Sequence, residues 1–262
     1  MPVKNAKRIL ALKRRRVRET ESKYLIEGIR LCEEAVDSTP LLEQLIFCRE
    51  SLDRNERLAR LFDSAVEKNL PIQQTNRRAF QGMCETQSPQ GVLGVVQMPQ
   101  WDRSRILNAQ ANFLILDRIS DPGNLGMILR TAEAAGAAAV FLTRGSVELF
   151  NPKVVRATMG AIFRLPVFAK ENPDDLLESL SERNISLVAA SVGGIPYHQL
   201  DKLKRVALLL GNEAYGIDSA LVEKADQTIS IPMAEPVNSL NVAVAAGILL
   251  YKVKELQQEL AS

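Results

Sequence analysis

Some of this chain's polar residues are grouped as a site that aligns a substrate and manages a proton would be. Asp121-Pro122-Gly123-Asn124 follows the run FLILD and leads into a segment carrying Arg130 and Glu133. Gly211-Asn212-Glu213-Ala214-Tyr215-Gly216 directly follows the apolar run Val206–Leu210. Ser239 and Asn241 open an almost uniformly apolar segment reaching Tyr251, just after TISIPM. Amides, a carboxylate, a hydroxyl and a guanidinium at strand ends beside a buried helix are how α/β proteins assemble a site. The reading requires Asn112–Gly136 to meet the last third, Leu208–Tyr251.

Each group also has a plain structural role. Asn124 is a natural N-cap for a helix Leu125–Ala135, whose stripe Leu125, Ile128, Leu129 and Ala132 leaves Met127, Arg130, Glu133 and Ala134 off the core face. Arg130 and Glu133 then form an exposed i,i+3 pair worth ~0.2–0.5 kcal/mol. Ser239 would cap a helix Leu240–Glu255, too apolar all round for a surface helix and so buried against the domain or a second subunit. Asn241 in its first turn would need a polar partner. Other chemistries find less support. The one histidine, His198, follows Gly193-Gly194-Ile195-Pro196-Tyr197 in a predicted loop, and neither a hydrolase triad nor a metal cluster can be built around it. The phosphate-binding glycine fingerprints are absent, so a nucleotide-dependent oxidoreductase is disfavoured.

The elements that must position these groups differ between the two halves of the chain. Runs at Phe113–Leu116, Ala139–Leu142, Ile185–Ala190, Val206–Leu210 and Thr228–Ile231 are short, continuous and rich in Val, Ile and Leu, separated by helix-length segments. Strands buried on both faces read this way and imply a parallel sheet with right-handed crossovers. Upstream, Lys23–Ser38 has Leu25, Ile29, Cys32 and Val36 near helical spacing, which predicts a helix despite Gly28. Short strands are expected at Leu45–Cys48, from Ile72 and at Val92–Gln97, with a helix over Leu52–Asn69. This alternation predicts a small α/β domain over residues 19–98, a linker at 99–104 and a second domain over 105–262.

The 262 residues are 46% apolar and 24% charged, ordinary for a globular protein, and no apolar run approaches a membrane span. The three cysteines, Cys32, Cys48 and Cys84, are too few for a disulfide framework, which predicts a reduced, cytoplasmic compartment and no metal. Lys4, Lys7, Arg8, Lys13, Arg14, Arg15, Arg16 and Arg18 all precede the first acidic residue, Glu19, and this basic arm, residues 1–18, suits phosphate. Lys13, Arg14, Arg15, Arg16 and Arg18 are the expected RNA contacts.

Together, DPGNLGMILRTAEAAG, LLLGNEAYGI and ISIPM…SLNVAVAAGILLY resemble the SpoU-type (TrmH-like) RNA ribose methyltransferases of the SPOUT superfamily, as does the connecting NPKVVRATMGAIFRLPV. KYLIEGIRL and SPQGVLGVV are similar to the ribosomal-protein-like substrate-binding domain that many members carry. The resemblance implies a parallel α/β sheet with a C-terminal trefoil knot, a homodimer through the knot domain, and bound S-adenosylmethionine. Gly211, Ile231, Met233 and Leu240 would then contact the cofactor, and Asn124, Arg130, Glu213, Ser239 and Asn241 would form the catalytic set. The implied reaction is 2′-O-methylation of RNA, ribosomal rather than transfer RNA. A transfer-RNA methyltransferase and a non-catalytic ribosome-assembly factor on the same fold are the alternatives.

The resemblance has departures. Glu235 stands where a glycine is usual and Ala243 where a serine is common; were that loop to need a positive φ, Glu235 would cost ~1–2 kcal/mol. The family's usual proposal makes the arginine, here Arg130, the base, yet a guanidinium with a pKa above ~12 is a poor one. Arg130 is expected instead to grip a phosphate and stabilise developing alkoxide charge, with the proton leaving through that phosphate, Glu213 or water.

Overall fold

The computed structural model describes residues 6–261 and divides into two compact units, one running to Gln100 and taking in Phe150–Arg164, the other formed by Trp101–Leu149 and the chain from Leu165. The first begins with α1 (Ala6–Ala11), α2 (Arg15–Glu21), β1 (Lys23–Glu27), α3 (Ile29–Ser38) and β2 (Leu42–Cys48). It continues through α4 (Arg49–Leu52), α5 (Glu56–Glu67), β3 (Ile72–Thr75), α6 (Arg77–Met83) and β4 (Val92–Gln97). The sheet order is β1-β4-β2-β3, with β4 antiparallel to both neighbours and β2 parallel to β3.

This corrects the single helix expected over Lys23–Ser38. Gly28, at φ 104°, lies in a region side chains avoid and breaks the segment in two. Before it, Tyr24 and Ile26 alternate inward as a strand; after it, Ile29, Leu31, Cys32 and Ala35 bury one helical face. The helix expected over Leu52–Asn69 is α5, which starts at Glu56 because the Asn55 side chain caps it by accepting from Leu58 N.

The basic arm packs into this unit. Its apolar residues Ile9 and Leu12 join a core with Phe80, Met83 and Val95, so residues 6–18 are folded into the unit. Arg18 is buried, its Nη1 donating to the carbonyls of Leu12 at 2.9 Å and Lys13 at 2.8 Å, which withdraws it from any RNA contact. Lys13 Nζ donates to the carbonyls of Gly82 at 3.1 Å and Cys84 at 2.7 Å. Arg14, Arg15 and Arg16 are exposed. Lys4 lies outside the described residues.

The second unit opens with α7 (Arg103–Leu107), β5 (Phe113–Leu116), α8 (Pro122–Ala135) and β6 (Ala139–Thr143). Next in the chain comes α9 (Pro152–Ala157), which belongs to the first unit, where the rings of Phe150 and Tyr24 sit 4.6 Å apart. The second unit resumes with β7 (Val167–Glu171), α10 (Pro173–Ser181), β8 (Ser186–Pro196) and β9 (Val206–Leu210). It ends with α11 (Ser219–Val222), β10 (Gln227–Ser230) and α12 (Val242–Ala261).

Its sheet, ordered β10-β8-β9-β5-β6-β7, is parallel throughout. Phe113, Ile115, Phe141, Leu187 and Leu209 lie in one of its cores. The chain winds outward from β5 through β6 to β7, then returns on the far side of β5 as β8 and β9. The reversal makes β5 and β9 neighbours across a switch point, where open α/β sheets leave a crevice at the strands' carboxyl ends. All the polar stretches singled out above start there or face it.

β8 is longer than the run Ile185–Ala190, and the expected loop at Gly193-Gly194-Ile195-Pro196 is its continuation, paired to β10 across a register shift. Gly194 permits this, because a Cβ there would lie 2.6 Å from the carbonyl oxygen of Thr228. β7 has no counterpart among the expected strands; only two of its side chains, Val167 and Phe168, are large and apolar.

Candidate active site

At the carboxyl end of β5, the helix α8 is capped by Asp121, whose side chain accepts from Asn124 N at 2.7 Å, and Pro122 fills its first position. Asn124 was the expected cap. With the cap supplied three residues earlier, its side chain is free and buried, turned inward from the first turn. Its Nδ2 donates to Glu213 Oε1 at 3.0 Å, and its Oδ1 accepts from Asn241 Nδ2 at 2.9 Å.

Asn241 in turn caps α12, its Oδ1 accepting from Ala243 N at 2.9 Å and from Val244 N at 3.4 Å. The cap expected at Ser239 is therefore corrected: α12 begins at Val242, and Ser239 lies exposed outside it. The amide orientations follow from the chemistry at the two ends. A carboxylate only accepts, so Asn124 must offer it NH2; a helix start only donates, so Asn241 must offer it oxygen. What remains is one donor and one acceptor, and these meet between the asparagines.

Glu213 is saturated. Oε1 accepts from Asn124 Nδ2 and from Asp121 N at 3.2 Å; Oε2 accepts from Ser120 N at 3.2 Å and Ser120 Oγ at 3.0 Å. Burial pushes its pKa up, but the hydrogen bonds from Asn124, its own backbone, Ser120 and Asp121 outweigh burial and hold it below the usual carboxylate value. A carboxylate in that state is a weak base and a firm anchor.

The loop bearing Glu213 is pinned at its base. Asn212 and Gly216 exchange backbone hydrogen bonds of 3.0 and 2.9 Å, and Asn212 Oδ1 accepts from Ala214 N at 2.9 Å and Tyr215 N at 3.1 Å. Asn212 Nδ2 donates to the Arg118 carbonyl at 2.7 Å, tying this loop to the end of β5. Any side chain at Gly211 would collide with the backbone of Gly216 and Ile217, so glycine is required there for close approach.

Beneath lies a set of residues not singled out from sequence. Asp117, buried, accepts from Thr143 Oγ1 at 2.9 Å, from Arg118 Nε at 3.1 Å and from Asp218 N at 3.0 Å, joining β5, β6 and the loop after β9. Its signal was a charge closing the apolar run FLILD. Partners from three distant segments are not visible in that spacing.

The remaining residues are arranged more openly. Ile231 is half-buried, and residues 232–241 are exposed, among them the apolar Met233, Val237 and Leu240. Glu235 carries no positive φ, so the strain considered for it does not arise. Arg130 is exposed on α8 with no ion pair or hydrogen bond to its guanidinium among the described residues. Met127 on α8 and Val244 and Tyr251 on α12 are further exposed apolar residues.

A polar, oriented node, exposed apolar groups next to Asn241 in the chain and a partnerless cation further along α8 fit a ligand with an apolar body and a hydroxyl-bearing sugar. Metal chemistry has no ligand cluster among the described residues. Burial pushes the Cys84 thiol up to about 12 and raises Cys32 as well, so neither is a nucleophile at neutral pH. Among the described residues no helix is long and apolar enough to cross a membrane.

Comparison with known proteins agrees with this geometry. Residues 111–251 match the SpoU rRNA Methylase family and residues 4–94 an MRM3-like substrate binding domain. The chain is 34% identical over 231 residues to a 23S rRNA (guanosine(2553)-2'-O)-methyltransferase of Bacillus subtilis, covering 88% of each. Among solved structures, the SpoU methyltransferase AviRb from Streptomyces viridochromogenes in complex with AdoMet superposes with a TM-score of 0.83 at 27% identity, covering 98% of this chain and 99% of that one. An AdoMet-bound rRNA methyltransferase from Sinorhizobium meliloti gives 0.81 at 28% identity, covering 97% and 95%.

Proposed function

Because the chain belongs to the SpoU rRNA methylase family, we propose that it methylates a ribose 2′-hydroxyl of ribosomal RNA with S-adenosylmethionine as donor. The observation that carries the reading is the hydrogen-bonded series Glu213–Asn124–Asn241, built from all three polar stretches at one switch point. The cofactor supplies an electrophilic methyl on a good leaving group. Gly211, Ile231, Met233 and Leu240 would hold it; none carries charge, and the exposed apolar side chains suit its apolar and aromatic parts.

The protein's own work is then alignment and charge. Asn124 and Asn241, fixed in orientation, line the place where the ribose sits. Arg130, without a protein partner, grips the adjacent phosphate and stabilises the developing alkoxide. Glu213 is a positioning residue: held ionised by its donors, it orients Asn124 and takes no proton. The hydroxyl proton therefore leaves through phosphate or water.

The first unit binds the RNA. Arg14, Arg15 and Arg16 supply its phosphate contacts on the exposed side of the folded arm. Deleting the arm would remove Ile9 and Leu12 from the core, so the informative variant replaces the three arginines with alanine. The logarithmic salt dependence of RNA binding should become shallower by about 2, since each neutralised phosphate of a single strand accounts for roughly 0.7. An unchanged slope would make these arginines bystanders.

The second unit works as a homodimer through the exposed Met127, Val244 and Tyr251, in the cytoplasm, with the trefoil knot of the SPOUT fold in its C-terminal part. The experiment that tests the whole reading incubates the protein with labelled S-adenosylmethionine and separate pools of unmodified ribosomal and transfer RNA, then maps the label. Label on a 2′-oxygen of ribosomal RNA, lost in Arg130→Ala with cofactor binding retained, is the expected result. Absence of cofactor binding would favour a non-catalytic RNA-binding role.

A further inference from the structure

Tyr215 differs from the other tyrosines. Tyr24 is buried, Tyr197 meets the ring of His198 at 5.8 Å, and the ring of Tyr251 has the Lys254 ammonium 5.4 Å from its centre. Tyr215 is 86% exposed, and among the described residues neither its ring nor its hydroxyl has a partner.

Its backbone, in contrast, is held from several sides. Tyr215 N donates to Asn212 Oδ1 at 3.1 Å, inside the turn closed by the Asn212–Gly216 pair. The turn's far end needs Gly216 at φ 69°, and its base admits no side chain at Gly211. The same turn carries Glu213, whose carboxylate orients Asn124. A large flat ring is thus presented to water from a fixed stretch of backbone, two residues from the group that orients the ribose-facing amides.

We propose that Tyr215 is a base-stacking residue: it takes the face of a nucleobase in the RNA strand being methylated and so delivers that strand's ribose to Asn124 and Asn241. The proposal rests on the ribose-methylation reading. Every base has a π-face, and unpaired bases are held on aromatic side chains with little regard to sequence. On a clamped turn the backbone is already ordered, so stacking costs only the freedom of the two side-chain torsions, which is less than on a mobile loop.

The test uses the full chain, Tyr215→Ala and Tyr215→Phe, with an unmodified large-subunit ribosomal RNA transcript. RNA binding is measured without cofactor over a range of salt, followed by methyl transfer and the thermal midpoint of each protein. Tyr215→Ala should bind about 5- to 100-fold more weakly at every salt concentration while Tyr215→Phe stays within about twofold, as loss of one stacked base predicts. The salt slope should be unchanged in both, because every phosphate-binding cation is still in place.

Wild-type affinity in Tyr215→Ala, an equal loss in Tyr215→Phe, or a lower thermal midpoint accounting for the loss would each overturn the proposal. If the wild type binds this RNA but transfers no methyl group, the methylation reading fails while the binding contrast still decides the role of Tyr215. If the wild type does not bind it, both fail.

Discussion

The two sides of the candidate site are built in opposite ways. On one, Glu213, Asn124 and Asn241 form a series in which each polar group faces its complement and the ends are fixed by backbone N–H groups. On the other, residues 232–240 leave Met233, Val237 and Leu240 in water. The first is finished before any ligand arrives, so its dipoles need no reorganisation when charge develops near them. The second is apolar surface awaiting cover. On the reading proposed above, the rigid polar half would align the acceptor and the open half would admit the cofactor and release its product.

The sharpest way to break the comparison is to reverse one polarity in the finished half. Asn124→Asp replaces a donor to Glu213 with a second carboxylate at hydrogen-bonding distance, and two such groups do not both ionise. Asn124→Ala only removes the partners, and Glu213 and Asn241, both exposed, turn to water instead, at about 0.5–1.5 kcal/mol for each hydrogen bond lost. The aspartate variant should show the lower thermal midpoint at neutral pH and recover part of it as the pH is lowered; the alanine variant should show no such recovery. Equal midpoints for both at every pH would mean that the ordered polarity contributes nothing.

How far these features could be read beforehand depended on where each signal lay. Phe113–Leu116 and Val206–Leu210 were legible as strands because both faces are buried, leaving an unbroken apolar run. Lys23–Glu27 was not, because Leu25, Ile29 and Cys32 mimic helical spacing across a break that only the φ of Gly28 reveals. The polar residues of the node were identifiable by type and by their position after strands. Their roles were not: the cap passed from Asn124 to Asp121 because Pro122 starts the helix there, and Asn241 finds its partner 117 residues away. Arg18 looked like its basic neighbours, since nothing in its spacing shows the carbonyls of Leu12 and Lys13 turned towards it.

A second perturbation addresses the open half. Met233→Ala combined with Leu240→Ala removes apolar groups that are already partly in water, so the fold should lose little. Cofactor affinity should fall roughly tenfold, the loss of about 1–2 kcal/mol for groups buried only when the ligand is bound. Calorimetry beside a thermal scan separates the two effects. An affinity left intact would remove these side chains from the cofactor site, and a large fall in thermal midpoint would make them part of the finished half.

The smallest effect concerns the charge of Glu213. Because its pKa is held below the ordinary carboxylate value in the folded protein, its ionised form contributes stability that is fully present above that ordinary value. This contribution declines as the pH falls through the lower, folded value, where protonation removes the acceptor that Ser120, Asp121 and Asn124 share. Glu213→Gln keeps the shape and removes the titration, so wild type and variant should differ by a constant amount from neutral pH down to about pH 5 and converge below the usual carboxylate pKa of about 4.3. Denaturant midpoints measured through that range decide it. A difference that stays constant into acid would mean that the node uses the carboxylate's shape and not its charge, and the contrast between the two halves of the site would then be one of packing alone.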